Sequence, residues 1–306
     1  MGFVFCVINN SSVYVISVTV EGHVMAESIV SVKDVKFSYP AGVSALKGVS
    51  LDIQQGERVA LLGPNGSGKS TLILLIAGLL LPSKGEITVF GEKTQSKDFQ
   101  KLRSRIGVVF QDPDDQLFTP SVIEDVEYGP KNLKLPEQDV KARSAHVLEK
   151  MGIVHLRDRP PHRLSFGEKK KVSLATALVL KPELLILDEP TANLDLVSRR
   201  GLIETLNELS RAGTTIIVST HDAEAIPELA DRIIVISHGE KLCEGKTSEV
   251  LQDKVMLEAS GLEPPTIVDL FGELKAQGLI SDVPITLSEG KEALVRILKT
   301  QKTNQV

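Results

Sequence analysis

Residues 63–70 read Gly63-Pro64-Asn65-Gly66-Ser67-Gly68-Lys69-Ser70, and Thr71 continues into an apolar stretch. The pattern is G-x-x-x-x-G-K-[ST]. Before it, Gln55-Gly56 supplies a turn and Arg58 to Leu62 is a short apolar run suited to a buried strand. After it, Lys69 to Leu80 is apolar and helical in character, with Pro82 as its stop. Glycines lack the Cβ that would hold the backbone away, so successive N–H groups can wrap around phosphate oxygens. The start of the following helix adds positive potential. In this arrangement Lys69 meets the β- and γ-phosphates of a nucleotide, and the Ser70 hydroxyl holds Mg²⁺.

A second stretch points to the same chemistry. Leu184-Leu185-Ile186-Leu187 is an apolar strand that ends in Asp188-Glu189. In a parallel α/β sheet the carboxyl ends of the strands face the ligand crevice. Asp188 there can hold Mg²⁺ through water, and Glu189 can orient or deprotonate an attacking water. Taken alone, an acidic strand end is only a solvated turn; the phosphate cradle gives it a partner.

The 306-residue chain has 42% apolar and 25% charged residues, as a globular protein does. This excludes a disordered, collagen-like or disulfide-scaffold chain. With net charge −5, no Trp and 4% aromatics, it is not built to bind nucleic acid. Cys6 and Cys243 fit no metal-ligand spacing and read as thiols of a reducing cytoplasm.

Residues 1–27 form an extension rich in Val, Ile and Phe. It carries no Lys or Arg before Lys33, so it lacks the positive region of a secretory signal. Asn9 to Ser12 break its apolar run too early for a membrane helix. Val13 to Val20 alternates as a strand would, and Met25 reads as the native start. Ile29 to Tyr39, then Val49, Leu51 and Ile53, then Glu86 to Phe90 and Ile106 to Phe110 are strand patterns. From about Thr119 to Lys181 the pattern turns helical, with Val140, Val147, Leu148 and Met151 near helical spacing. Strand-like runs return at Leu184 to Leu187, Thr215 to Val218 and Ile233 to Ile236. Strands alternating with helices predict a parallel sheet covered on both faces, with residues 119–181 as a helical subdomain. Residues 251–306 form a C-terminal extension. One helix there carries Ile267, Leu270, Phe271 and Leu274 and stops at Gly278; a last helix opens on the capping box Thr286/Glu289.

Further motifs narrow the class. Leu164-Ser165-Phe166-Gly167-Glu168 resembles the LSGGQ signature of ABC ATPases. Gln111 stands where that family has its Q-loop, Ala192-Asn193-Leu194-Asp195 resembles its D-loop, and His221 its switch histidine. The resemblance covers about Ile29 to Glu249. It implies a P-loop NTPase with a RecA-like core, an antiparallel β subdomain, a helical signature subdomain and a small C-terminal helical extension. It also implies ATP and Mg²⁺ as ligands. Tyr39 stacks on adenine, Gly63 to Thr71 bind the phosphates, and Ser70, Gln111 and Asp188 serve Mg²⁺. Glu189, His221, Lys69 and Gln111 carry hydrolysis. Ser165, Gly167 and Glu168 face the nucleotide of a second subunit, in a homodimer or a heterodimer with another ABC ATPase. Phe166 replaces a family glycine, which predicts a shifted loop.

The segment Gln111-Asp112-Pro113-Asp114-Asp115-Gln116-Leu117-Phe118, with Glu124-Asp125-Val126 and Gly129-Pro130, is similar to the ATPases of energy-coupling factor transporters, the cobalt and nickel importers among them. That likeness implies peripheral attachment at the cytoplasmic face of the cell membrane. A transmembrane T-component docks on this segment, and a small membrane subunit binds the solute, a metal ion or a vitamin. The rival readings are the ATPase of a binding-protein-dependent importer, a soluble non-transport ABC ATPase and a non-hydrolysing regulator. Lys69→Ala is expected to abolish ATP binding at physiological concentrations, because it removes the charge that meets the β- and γ-phosphates; equilibrium titration with a fluorescent ATP analogue checks this.

Overall fold

The computed structural model describes residues 3–9, 12–18, 28–40 and 42–303. It opens on β1 (Phe3–Asn9) and β2 (Ser12–Val18), paired antiparallel with Phe3 opposite Val18. The sequence pattern marks a strand only from Val13; the hairpin partner is additional, and Met25 lies outside the described residues. Then follow β3 (Ser28–Ser38), β4 (Ser44–Gln54), β5 (Arg58–Leu62), α1 (Lys69–Ile76), β6 (Lys84–Val89), β7 (Glu92–Lys93), α2 (Phe99–Leu102) and β8 (Ile106–Val109). Three helices come next: α3 (Val122–Asn132), α4 (Glu137–Lys150) and α5 (Phe166–Leu178). Alternation resumes with β9 (Leu184–Asp188), α6 (Leu196–Arg211), β10 (Thr215–Thr220), α7 (Ile226–Leu229), β11 (Arg232–Ser237) and β12 (Glu240–Lys246). The chain ends in α8 (Thr247–Gln252), α9 (Lys254–Ala259), α10 (Thr266–Ala276) and α11 (Leu287–Thr303).

The six-stranded sheet has the order β12-β11-β5-β10-β9-β8. The five strands from β11 to β8 run parallel, and β12 pairs antiparallel to β11 at one edge. Every residue of β9 and β10 is buried, so these strands read as continuous apolar runs rather than alternating ones. Their side chains still divide between two faces. Leu184, Ile186 and Ile217 pack toward α1 and the antiparallel sheet β4-β3-β6-β7; Leu185, Leu187, Ile216 and Val218 pack toward α3 to α6. The result is an α/β fold with a RecA-like P-loop core, an antiparallel β subdomain, a helical subdomain and a small C-terminal helical extension. Strand β12 is absent from the sequence reading because its residues alternate between half-buried and exposed, and none is fully buried.

Two helices depart from expectation. The apolar pattern carries the first helix to Leu80, but α1 ends at Ile76. Gly78 takes φ +67°, its N–H donates to the Leu75 carbonyl at 3.1 Å, and the Leu79 N–H donates to the Leu74 carbonyl at 2.9 Å. This paired closure needs a left-handed residue just past the cap, and glycine meets the need without strain. In α10 the buried residues are Val268 and Phe271, whereas Leu270 is exposed. The inward face is therefore rotated from the one read off the sequence. The extension is tied to the core where the Thr266 N–H donates to Glu224 at 2.6 Å, and within it Lys254 bridges to Asp269 at 2.5 Å. The capping box of α11 forms as expected, with reciprocal bonds of 3.2 Å between Thr286 and Glu289.

Phe99, 1% exposed, lies directly over Gly78 and is among the largest fully buried side chains. Phe99→Ala is expected to cost about 3–5 kcal/mol through lost burial and the cavity left behind. Urea unfolding, with an unchanged slope and a lower midpoint, is the check.

Candidate nucleotide site

Strand β5 delivers the chain into the cradle at Gly63, whose N–H donates to the Thr220 carbonyl of β10 at 3.2 Å. Gly68 caps α1 with φ +106°, and a Cβ there would come within 2.7 Å of the Ala45 carbonyl oxygen. Both conditions demand glycine. The loop is also pinned from outside, since the Gly239 N–H donates to the Ser67 carbonyl at 2.9 Å. The Ser67 hydroxyl is buried and has no partner. The first turn of α1 leaves N–H groups free by construction, and they point into the cradle.

Lys69 is 6% exposed and donates from Nζ to the carbonyls of Gly63 (2.7 Å) and Pro64 (3.1 Å). Its Nζ lies 4.0 Å from Glu189 Oε1. Burial pulls the ammonium below the usual lysine range, and the charges of Glu189 and Asp188 oppose that pull. Glu189 is 4% exposed with φ +44°, a sparsely populated backbone region for a residue with a Cβ. Four contacts hold it there. Its N–H donates to the Ser219 carbonyl (3.1 Å) and hydroxyl (3.3 Å); its carboxylate accepts from Thr220 Oγ1 (3.2 Å) and lies 2.8 Å from His221 Nδ1. Asp188 accepts from the Ser219 hydroxyl. Lys69, Asp188, Glu189 and His221 thus meet at the carboxyl ends of β5, β9 and β10, as the sequence reading requires.

The other expected residues sit around this centre. Tyr39 follows β3; its hydroxyl lies 3.2 Å from Thr71 Oγ1, and its ring stands edge-on to Phe37 at 5.0 Å. Ser70 and Thr71 lie in the first turn of α1. Gln111 is exposed, two residues beyond β8. The Ser70 hydroxyl, Gln111 amide and Asp188 carboxylate are all hard oxygen donors, the set that suits Mg²⁺.

At the signature, Ser165 caps α5, and Ser165 and Glu168 form a reciprocal capping box. The Ser165 N–H donates to Glu168 Oε2 at 2.8 Å, and the Glu168 N–H donates to Ser165 Oγ at 3.3 Å. The Ser165 N–H and hydroxyl hold the Glu168 carboxyl below its ordinary range. Phe166 is the first residue of α5 and has no positive φ. The shift expected from replacing glycine there has no conformational basis, because the backbone is one that Phe adopts freely. Gly167 follows in the same turn. Asp195 caps α6 by accepting from the Ser198 N–H at 2.8 Å.

Two side chains to which the sequence reading gave no role of their own complete the arrangement. Gln116 accepts from the Phe110 N–H (3.2 Å) and donates to the Ser173 carbonyl (2.9 Å) and Thr176 Oγ1 (2.8 Å). Lys170 is 5% exposed, and burial drives it down to about 8, against the pull of Asp188, Asp112 and Glu189. The lysine run 169–171 looks like a solvated face in sequence; only packing shows that its middle member is inside. In the acidic segment, Asp114 bridges to Lys169 at 2.6 Å, and Asp125 accepts from the N–H groups of Phe118 and Thr119 at 3.2 Å each. Phe118 and Tyr128 are both exposed and stand edge to face at 4.9 Å.

The fold and the cradle define a P-loop nucleotide-binding protein of the ATP-binding-cassette class. The ABC transporter family matches residues 46–192. An energy-coupling factor transporter ATP-binding protein of Methanothermobacter thermautotrophicus is 44% identical over 272 residues, 88% of this chain and 88% of that protein. A cobalt import ATP-binding protein of Rhodobacter capsulatus is 45% identical over 244 residues, 79% of this chain and 87% of that protein. Among solved structures, cbiO1 of Clostridium perfringens, part of the ABC transporter complex cbiONQ, superposes with a TM-score of 0.67 at 42% identity. It covers 80% of this chain and 99% of its own. A dimeric ATP-binding cassette in a post-hydrolysis state with ADP and Pi gives 0.65 at 31% identity, over 71% and 98%. The chain belongs to the ABC transporter family, among the energy-coupling factor ATP-binding proteins.

Glu168→Ala is expected to lower stability by about 1 kcal/mol through loss of the capping box, and Glu168→Gln to leave it near wild type, since glutamine fills the same role. Thermal unfolding of the two variants separates these outcomes.

Proposed function

We propose that this chain is the ATP-hydrolysing subunit of an energy-coupling factor importer, working as a pair of cassettes on the cytoplasmic face of a membrane. The observation that carries the reading is the convergence of Lys69, Asp188, Glu189 and His221 at three adjacent strand ends. In this reading Tyr39 takes the adenine, and Gly63 to Thr71 receive the phosphates. Lys69 exchanges its bonds to the Gly63 and Pro64 carbonyls for the β- and γ-phosphates. Glu189 orients the attacking water and accepts its proton; His221, held by Glu189, contacts the γ-phosphate. Ser70, Gln111 and Asp188 hold Mg²⁺, which when bound offsets charge on the phosphate oxygens. Ser165, Gly167 and Glu168 are offered across a head-to-tail pair to the nucleotide of the other cassette.

In this reading attachment is through partners; among the described residues no helix is long and apolar enough to cross a membrane. Segment 112–118, ending in the exposed Phe118 with the exposed Tyr128 beside it, is the docking element for a transmembrane T-component. The solute, a cobalt or nickel ion or a vitamin, is bound by a separate small membrane subunit. The protein called cobalt import ATP-binding protein in Rhodobacter capsulatus supports the metal among these.

Glu189→Gln is expected to bind Mg-ATP, to hydrolyse it about 10² to 10⁴ times more slowly and to accumulate as a dimer. The amide keeps an acceptor oxygen but cannot take a proton. If ATP closes the pair and hydrolysis opens it, slow hydrolysis shifts the population to the closed form. Size-exclusion chromatography with and without Mg-ATP reads this. A monomer with ATP bound would instead indicate an unlike ATPase as partner. Co-purification of a T-component from the native host supports the importer reading; a soluble binding protein's permease in its place overturns it.

A further inference from the structure

Phe110 lies between β8 and Gln111, and its backbone is bonded in an unusual way. The Phe110 carbonyl accepts from Lys170 Nζ at 3.1 Å, while its N–H donates to Gln116 Oε1 at 3.2 Å. Gln116 in turn donates to the Ser173 carbonyl and Thr176 Oγ1. Lys170, Ser173 and Thr176 recur at i, i+3 and i+6, on one face of α5. A loop leaving an edge strand ordinarily turns its polar groups to water. Here two consecutive peptide units, the one before Phe110 and the one joining it to Gln111, are both fixed to the helix that begins at the signature. The bond from Lys169 to Asp114 adds a third tie a few residues on.

We propose that Lys170 and Gln116 are positioning residues for hydrolysis: they clamp the Phe110 backbone to α5, so that Gln111 keeps a fixed place relative to the signature helix and to Asp188 and Glu189, whose strand β9 pairs with β8. This rests on the role assigned to Gln111 under the proposed function. With both flanking peptides held, the backbone angles of Phe110 are set from each side, and the Gln111 side chain starts from a fixed origin. A donor at position 170 is needed to reach the carbonyl. A lysine can be buried there because Asp188, Asp112 and Glu189 offset its charge. Neither residue touches nucleotide in this arrangement, so losing the clamp misplaces Gln111 without removing a binding contact.

The test uses the full chain and measures kcat and KM for ATP in Lys170→Met, Gln116→Met, Gln111→Ala and the double variants with Gln111→Ala. Each Met variant is expected to lower kcat about tenfold or more, as small misplacements at a reacting centre do, with KM changed less than about threefold. In the Gln111→Ala background neither Met change should slow hydrolysis further, since residues acting through one group are not additive. Lys170→Arg should recover most of kcat, because its guanidinium can donate to the same carbonyl. Wild-type kcat in both Met variants overturns the proposal. So does a multiplied loss in the double variants, which would place the effect on Asp188 and Glu189 instead. A silent Gln111→Ala beside a slow Lys170→Met overturns it too, and separately removes the role assigned to Gln111. Should Lys170→Met fail to fold, Gln116→Met leaves every buried charge in place and carries the same cycle; failure of both to fold marks the clamp as purely structural and overturns the positioning role.

Discussion

The pairing of β10 with β5 on one side and β9 on the other is the constraint on which the site depends. Thr220 pairs with Leu62 and Ser219 with Asp188, so the three strands end at one level. The cradle leaves from β5, the acidic pair from β9 and His221 from β10, all at that level. A slip of one residue in either register would send the alternating side chains to the opposite faces and separate the charged groups. The buried apolar residues of these strands therefore do more than fill the core. Ile217 against one face and Val218 against the other fix the register that makes the chemistry possible.

Four ionisable side chains are buried at or beside those strand ends: Lys69, Lys170, Asp188 and Glu189. Two cations face two carboxylates, so the group carries no net formal charge. Burying any one alone would be prohibitive, and burying them together is tolerable only because each also has hydrogen bonds. The carbonyls of Gly63, Pro64 and Phe110 serve the lysines; Ser219, Thr220 and His221 serve the carboxylates. A nucleotide entering the cradle brings several negative charges into a balanced cluster. In the proposed reading, a divalent cation arriving with it would offset part of that charge.

The sequence made the parallel core and the cradle legible because both are written locally. A buried parallel strand is a short apolar run, and the glycines of the cradle stand at fixed offsets. Strand β12 was hidden by its lack of any buried residue, and the end of α1 by a run that stays apolar past Gly78. The inward face of α10 depends on what it packs against, which periodicity alone does not supply. At the site, Ser165-x-x-Glu168 has the spacing of a capping box, which the sequence reading took only as part of the signature. Gln116 and Lys170 could not be found this way. Their partners are 57 and 60 residues away, and nothing in the lysine run distinguishes its buried member from its half-buried neighbours.

The bond between the Tyr39 hydroxyl and Thr71, together with the edge-on contact from Phe37, leaves Tyr39 with only its ring face to present. A base resting there would be met by a flat π surface, with the hydroxyl of that side chain already bonded to Thr71. Stacking of this kind is tolerant of base identity, since every nucleobase has such a face. In the proposed reading, where Tyr39 takes the base, it would sort planar from non-planar ligands and would not sort adenine from guanine. In that reading, whatever preference the site has for one triphosphate over another must come from groups at the base edge, since the cradle would take the phosphates common to all of them.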